Sequence, residues 1–460
     1  MAAKPETGSY NGGSASRWRI LRRWLQPGLG VKRWLLLMVL GTALIGLALA
    51  LILLDLYRAN PTSPILAALS LRDLPRGLRA ALLASAGLSL LYLAVFRLNR
   101  TLLAPYLRPG KQVVDAVAEH RRLGRGPKIV AVGGGTGLST LLRGMKTRTG
   151  NLTAVVTVAD DGGSSGRLRR SLGLPPPGDV RNCLAALSDD EDLLTQLFQY
   201  RFPGGDELEG HSFGNLFIAA LAGVTGSFDR GVLEAGRVLA IQGRVFPATL
   251  SDVALVADKS HGLDLRAFRI QGESQIPAVP GRVRRVHLQP SDAPAYPEAI
   301  HAVLNADMIV LGPGSLYTSL LPNLLVPELA DAVRVSRALK VYVCNIATQV
   351  GETDGYDCAQ HLLALEEHAG RGLVDVMLVS QCPTKALPDG SEPVVPPVGD
   401  VLSVPTAVED LADQLKPGHH DPAKLADTLL RLLEERTGPL ESPVFETALA
   451  SPSSSNGILS

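Results

Sequence analysis

The chain has 460 residues, more than one typical domain requires, and its nearly balanced charge hides a strong asymmetry. Residues 1–128 hold 19 Lys and Arg against 5 Asp and Glu, whereas residues 129–460 hold 26 against 39. The acidic C-terminal part argues against nucleic acid as a partner, and four cysteines without a CxxC pair argue against a disulfide scaffold or a zinc site.

Residues 1–33 form a basic segment, in which Arg17, Arg19, Arg22, Arg23, Lys32 and Arg33 precede 21 uncharged residues at 34–54. At about 1.5 Å per residue this run spans a bilayer core of about 30 Å. It is longer than the apolar core of a cleaved signal peptide. A second uncharged run, 80–96, has 17 residues and is followed by Arg97, Arg100, Arg108 and Lys111. Both outer flanks are richer in Lys and Arg than the connection. The positive-inside rule therefore predicts a two-helix transmembrane hairpin over 34–96, with both ends and the large C-terminal domain in the cytoplasm. The second run is also short enough to be a buried or interfacial helix. Residues 97–127 read as a basic juxtamembrane linker, either simply solvated or touching anionic lipid through Arg121, Arg122 and Arg125.

From residue 128 the pattern changes. Two apolar runs, 129–132 and 154–158, each end in a glycine-rich turn, the signature of a βαβ unit with both turns at the carboxyl edge of a parallel sheet. The first turn is Gly133, Gly134, Gly135, Thr136, Gly137. It lacks the full G-x-G-x-x-G spacing and the P-loop lysine, so alone it also fits a tight strand–helix turn, although bare amides at a helix start favour an anion. The second turn is Asp160, Asp161, Gly162, Gly163, Ser164, Ser165, Gly166, Arg167. Its carboxylates could take ribose or sugar hydroxyls, hold a Mg²⁺ that bridges phosphates, or cap the next helix. Ser164 and Ser165 can donate to phosphate, and Arg167 can neutralise it.

Three prolines, Pro175 to Pro177, then fix a rigid loop, and Asp179 is predicted to N-cap a helix over 180–187, with Arg181 and Asn182 in its first turn. His211 and Asn215 flank the start of another helix, in either a polar site or a structural hydrogen-bonding role. Residues 238–305 read as β-rich, an insertion or subdomain over the site, with Asp252, Lys259 and Glu273 as polar candidates lacking a decisive context. A third strand, 307–311, leads into Gly312, Pro313, Gly314, Ser315, Leu316 and Tyr317. Ser315 is placed for an N-cap or a phosphate contact, and Tyr317 to stack on a base or pack under it. Asn345 ends a further buried strand. Asp421 and Pro422 open a last helix that runs to Glu435. The adjacent His419 and His420 do not share a helical face, so no metal site is expected there. Residues 437–460, rich in Ser and Pro, read as a disordered tail.

Six ordered blocks, AVGGGTGLSTLLRGMK, VTVADDGGSSGRLR, PPPGDVRNCLAALS, HSFGNLFIAAL, DMIVLGPGSLYTSLLPNLL and CNIATQVGETDGY, resemble the YvcK family of gluconeogenesis factors. The resemblance covers residues 128–436 and leaves out the membrane segment. The wider superfamily contains the CofD 2-phospho-L-lactate transferase. That relation implies an α/β, Rossmann-like parallel sheet with helices on both faces and a nucleotide diphosphate ligand. The YvcK branch implies binding of UDP-sugars, notably UDP-N-acetylglucosamine, and support of cell shape and wall synthesis on gluconeogenic carbon.

Carried over by motif, Gly133 to Gly137 approach the diphosphate, and Asp160, Asp161, Gly162, Gly163, Ser164, Ser165 and Arg167 surround it. Asp179, Arg181, Asn182, His211 and Asn215 close the pocket. Gly312, Gly314, Ser315, Leu316, Tyr317 and Asn345 border the nucleotide.

The expectation is thus a membrane-tethered UDP-sugar-binding regulator with no required cofactor, beside cell-wall-synthesis proteins. The rival is a transferase that moves a phosphate-containing group from a nucleotide, with Mg²⁺ on Asp160 or Asp161. The missing P-loop lysine and the lack of a nucleophile arrangement favour holding a nucleotide over transforming one.

Overall fold

The computed structural model describes residues 40–46, 49–50, 52, 54, 58, 75–103, 121–188, 193–205, 208–261, 267–381, 387, 390–396 and 402–438. Contacts divide the chain into two units, Met1–Arg121 with Pro443–Ser460, and Arg122–Ser442. In the first unit the longest described element is α1 (Arg76–Leu103). Its apolar stretch is only Ala84–Leu93, and among the described residues no single helix is long and apolar enough to cross a membrane. The second span expected at 80–96 is therefore not supported. Arg76, Arg79, Arg97 and Arg100 belong to the same helix and confine its apolar part to the middle. Of the run 34–54, residues 40–46, 49–50, 52 and 54 are described, and all are helical. Residues 104–120 of the linker, Cys382 and the tail from 439 lie outside the described residues.

The second unit starts with β1 (Ile129–Gly133), α2 (Gly135–Met145), β2 (Leu152–Val156), α3 (Gly163–Leu172), α4 (Gly178–Leu187) and α5 (Leu193–Gln199). There follow α6 (Phe213–Thr225), α7 (Phe228–Val238), β3 (Arg244–Pro247), β4 (Ala254–Ser260), β5 (Ala267–Gln271), α8 (Gln275–Ala278), β6 (Arg282–Gln289) and α9 (Pro297–Leu304). After β7 (Met308–Leu311) a π-helical turn, Leu316–Leu320, runs into α10 (Leu321–Leu324) and then α11 (Pro327–Val335). The chain ends with β8 (Leu339–Val343), α12 (Cys358–Ala369), β9 (Val376–Ser380), β10 (Thr406–Glu409) and α13 (Pro422–Thr437).

Seven strands form one sheet in the order β10-β9-β8-β7-β1-β2-β3, and every pairing is parallel. The chain leaves β1 for β2 and β3 on one side, then returns to β7 on the other. Strand order reverses between β1 and β7, which is where open α/β sheets form their ligand crevice. Alternation along the strands builds two cores. Ile129 and Ala131 face a layer with α2, α4, α6, α7 and α13, whereas Val130 and Val132 face α9, α11, α12 and the π turn. The β-rich region between β3 and α9 is a separate antiparallel sheet, β5-β4-β6, whose Leu255, Ala257 and Val286 join the second core.

Helix ends follow the sequence in one place and depart from it in another. Asp421 caps α13, accepting from the amides of Ala423 and Lys424, with Pro422 in the first turn. Asp179 does not cap α4. That helix starts two residues earlier than expected, at Gly178, which puts Asp179 inside the first turn.

Candidate functional site

The turns after β1, β2 and β7 meet at the carboxyl edge of the sheet. Glycine is needed in the first turn for close approach. A Cβ on Gly134 would run into the Asp179 carboxylate, and one on Gly137 would lie 2.6 Å from the Pro313 carbonyl oxygen. Gly135 has φ +64°, the left-handed region. Its amide donates to the Asp179 carboxylate. The residue expected to cap its own helix thus supplies an anion to the start of α2 instead. Thr136 is exposed on that first turn.

The adjacent acids of the second turn diverge. Asp160 Oδ1 accepts from the Gly162 amide at 2.8 Å, and its carboxylate also takes the Ser165 hydroxyl. Asp161 Oδ1 accepts from the Ser274 amide at 2.9 Å, on the segment that follows β5. They do not converge on one metal position. Among the described residues no three His, Cys, Asp or Glu side chains are grouped to hold a metal ion. The two acids therefore do not form a joint chelate, which leaves the expectation of Mg²⁺ on Asp160 or Asp161 resting on a single carboxylate.

Ser164, at the start of α3, is the hub of a buried network. The Ser212 amide and Asn215 Nδ2 both donate to its Oγ, at 3.2 and 3.1 Å. Its hydroxyl proton then has His211 Nδ1, 3.1 Å away, as acceptor. This assigns the neutral His211 ring its proton on Nε2, and burial together with the Arg167 charge lowers its pKa. Asn215 Nδ2 also reaches Ser165 Oγ at 3.3 Å, so a donor chain runs from Asn215 through Ser165 to Asp160.

Charge is divided across this edge. On one side lie carboxylates whose pKa values rise. Burial, with Asp160 beside it, lifts Asp179 to about 7. Burial plus four neighbouring carboxylates, Asp160, Asp179, Glu352 and Asp161, lifts Glu273 to about 8. Burial lifts Glu352 to about 7 against its hydrogen bonds. On the other side lie Arg167, Arg201 and His211, and Arg181 stands between, acted on by Arg201 and by the Asp179 and Asp160 carboxylates. The Arg167 guanidinium donates to the Glu209 carbonyl at 2.5 Å, and Arg181 to Asn182 Oδ1 at 2.8 Å. The Nε atoms of both arginines, and Asn215 Oδ1, are buried with no partner among the described residues. Burial, then the nearby Arg201, lowers the Arg181 pKa. Two buried guanidinium donors without acceptors are what an anionic ligand would satisfy.

The third turn is closed by the loop after β8. Asn345 Oδ1 accepts from the Gly314 amide at 3.3 Å, and Gln349 Nε2 donates to Ser315 Oγ at 2.6 Å. The Glu352 carboxylate takes the Thr318 hydroxyl at 3.1 Å and the amides of Tyr317 and Thr318. The anion position at this helix start is therefore held by Glu352, not left open for phosphate. Leu316 and Tyr317 turn away into the second core, both 1% exposed, and the Tyr317 hydroxyl pairs with that of Tyr356 at 2.8 Å. Their expected place beside a nucleotide is thus corrected. In a π turn whose amides face the edge, these two side chains point back under the sheet. Gly312 and Gly314, with φ +80° and +151°, shape the turn.

Sequence reasoning missed Glu352, Gln349 and Ser274, and left Glu273 and Lys259 without a role. Glu352 and Gln349 stand in the quoted CNIATQVGETDGY block, and a carboxylate beside glycine was the available signal.

The comparisons agree with this geometry. A family model described as 2-phospho-L-lactate transferase CofD matches residues 129–399. The chain belongs to the CofD-like family. Within that family its relatives are gluconeogenesis factors of the YvcK type. A putative gluconeogenesis factor from a Nostoc species is 51% identical over 365 residues, 78% of each chain. The gluconeogenesis factor of Bacillus subtilis is 45% identical over 327 residues, 68% of this chain and all of its own. A solved UPF0052-family structure from Bacillus halodurans superposes with a TM-score of 0.61 at 44% identity, covering 66% of this chain and 99% of that one. The CofD-like match includes all three glycine turns and both Asp179 and Glu352.

Proposed function

We propose that this CofD-like chain binds a nucleotide sugar of the UDP-N-acetylglucosamine type and acts as a regulator of cell shape, wall synthesis and carbon metabolism under gluconeogenic conditions. The observation that carries the reading is the pair of buried guanidinium Nε atoms of Arg167 and Arg181, on the helices that follow β2, with no partner among the described residues. A diphosphate supplies acceptors for them, and the carboxylates of the facing wall suit ribose and sugar hydroxyls. No cofactor is required for binding. Membrane attachment through the N-terminal segment, with the nucleotide-sugar domain on the cytoplasmic side next to wall-synthesis proteins, completes the proposal. It is supported by the uncharged run 34–54 behind its basic flank, and by the exposed Leu82, Leu88, Leu90, Tyr92 and Leu93 on α1.

Isothermal titration of the full-length protein in detergent with UDP-N-acetylglucosamine tests the binding. Saturable heat is expected, weakened at least tenfold by Arg181→Lys, because a point charge does not replace the guanidinium fork. No heat from correctly folded protein sinks the reading. A second reading, a transferase moving a phosphate-containing group from a nucleotide, is favoured by the description of the matching family model. Product formed from a nucleotide-activated donor would favour it over a binding role.

A further inference from the structure

Lys259 carries an ammonium group into the interior with no direct salt bridge among the described residues, its charge attracted at longer range by Asp354 and Glu352. It follows the inward-facing parity of Leu255 and Ala257 on β4, and the β4–β6 register shifts between Asp258 and Lys259. The residue is 0% exposed. Its Nζ donates to three backbone carbonyls, those of Ile276 at 2.7 Å, Val279 at 2.5 Å and Gly351 at 2.9 Å. All three protons are used, which is the condition under which a buried ammonium is tolerated.

The three carbonyls come from two different walls of the site. Ile276 and Val279 belong to α8 and the residue just after it, and the amide of Ser274, immediately before α8, holds Asp161. Glu273 stands one residue earlier. Gly351 lies on the loop that closes the third turn, and the next residue, Glu352, caps the π turn. The two walls touch directly. Gly351 has φ +80°, and a Cβ there would run into the Pro277 carbonyl. A hydrophobic residue of the same length would leave three buried carbonyls unpaired at this junction.

We infer that Lys259 is a positioning residue of the site: by tying α8 to the loop around Gly351, it fixes Asp161, Glu273 and Glu352 as one carboxylate wall facing the ligand. The antiparallel sheet is then the anchor of that wall, because β4 delivers the lysine. Only the affinity readout below rests on the nucleotide-sugar reading; the exchange readout does not.

The test uses Lys259→Met and, as a second variant, Gly351→Ala, which pushes the same two segments apart while keeping the lysine side chain. In full-length protein, hydrogen exchange in peptides covering 272–280 and 349–356 is expected to speed up at least tenfold in both variants, with β1 and β7 peptides unchanged. UDP-N-acetylglucosamine affinity is expected to fall at least tenfold in the same preparations. Unchanged exchange in both segments, or equal acceleration across the parallel sheet, overturns the role. So does opening of both segments with unchanged affinity. If wild-type protein gives no heat with UDP-N-acetylglucosamine, the nucleotide-sugar reading fails, and the exchange result alone decides whether Lys259 ties the wall.

Discussion

Replacing Glu273 by Gln should change the pH dependence of stability in a calculable way. Glu273 makes no hydrogen bond that the substitution would break among those found in the described residues, and it sits beside Asp160, Asp161, Asp179 and Glu352. Its carboxyl titrates near 8 in the folded protein, against 4.5 for a free glutamate. The folded state therefore keeps a proton that the unfolded chain has released. Between these two values the native state binds more protons, so stability falls as pH rises and levels off above about 8. From pH 7 to pH 9 this one group removes about 1.4 kcal/mol, a tenfold change in the folding constant. The histidines act in the opposite direction. Burial lowers His211, His361 and His368 and brings His420 to about 4, so their charging in the unfolded chain depresses stability mainly below their ordinary 6.5. Above pH 7 their effect is small and common to both proteins. Urea unfolding followed by far-UV circular dichroism is the assay, since Trp18, Trp24 and Trp34 all lie in the N-terminal segment and do not report on the sheet. The stability of Glu273→Gln relative to wild type should rise by about 1.4 kcal/mol between pH 7 and pH 9. A constant difference across that range would refute the charge crowding argued for this wall.

Gly137→Ala should destabilise by about 1–3 kcal/mol in urea, because its Cβ meets only backbone, at 2.6–2.9 Å from Pro313 and Gly314, and neither can move without separating the first and third turns. Asp421→Ala should cost about 1 kcal/mol by loss of the α13 cap and leave ligand titration unchanged, since Pro422 packs against Gly144 near the end of α2 remote from the glycine turns.

The local parts of this fold were legible in the sequence. Strands ending in glycine can be read from a few consecutive residues, as can the Asp421–Pro422 helix start, because each is settled by neighbours in the chain. The partners across the site were not. Asp179 answers the amide of Gly135, Ser164 pairs with His211, and Glu352 reaches Thr318, contacts that span 44, 47 and 34 positions. No local pattern distinguishes an aspartate that caps its own helix from one that caps another. Tyr317 shows the same gap. The sequence marked a turn residue, but whether its ring faced the edge or the core depended on a π turn and on Tyr356. For the membrane segment, the arginines beside the run at 80–96 read as flanks of a span, whereas Arg76, Arg79, Arg97 and Arg100 lie within one helix with it.

The internal carboxylates alter what the glycine turns can do. Bare amides at helix starts attract anions, yet Gly135 already faces Asp179, Gly162 faces Asp160, and the π turn faces Glu352. Burial raises Asp179 and Glu352 to about 7, and the amides they accept from act against that rise by favouring the ionised form. A diphosphate set against these carboxylates would meet like charge in a poorly solvated crevice. The same diphosphate set against Arg167 and Arg181 would meet Nε donors that lack acceptors among the described residues. In the proposed binding reading, a nucleotide sugar would enter with its phosphates toward Arg167 and Arg181 and its hydroxyls toward the acids. A transferase must bring a charge-stabilising group to the phosphate that reacts, and the acids that would recruit a metal for this point to different amides. A binding protein would need only the direction, which in the proposed reading Asp161 on Ser274, Glu352 on Thr318 and Lys259 between them would supply.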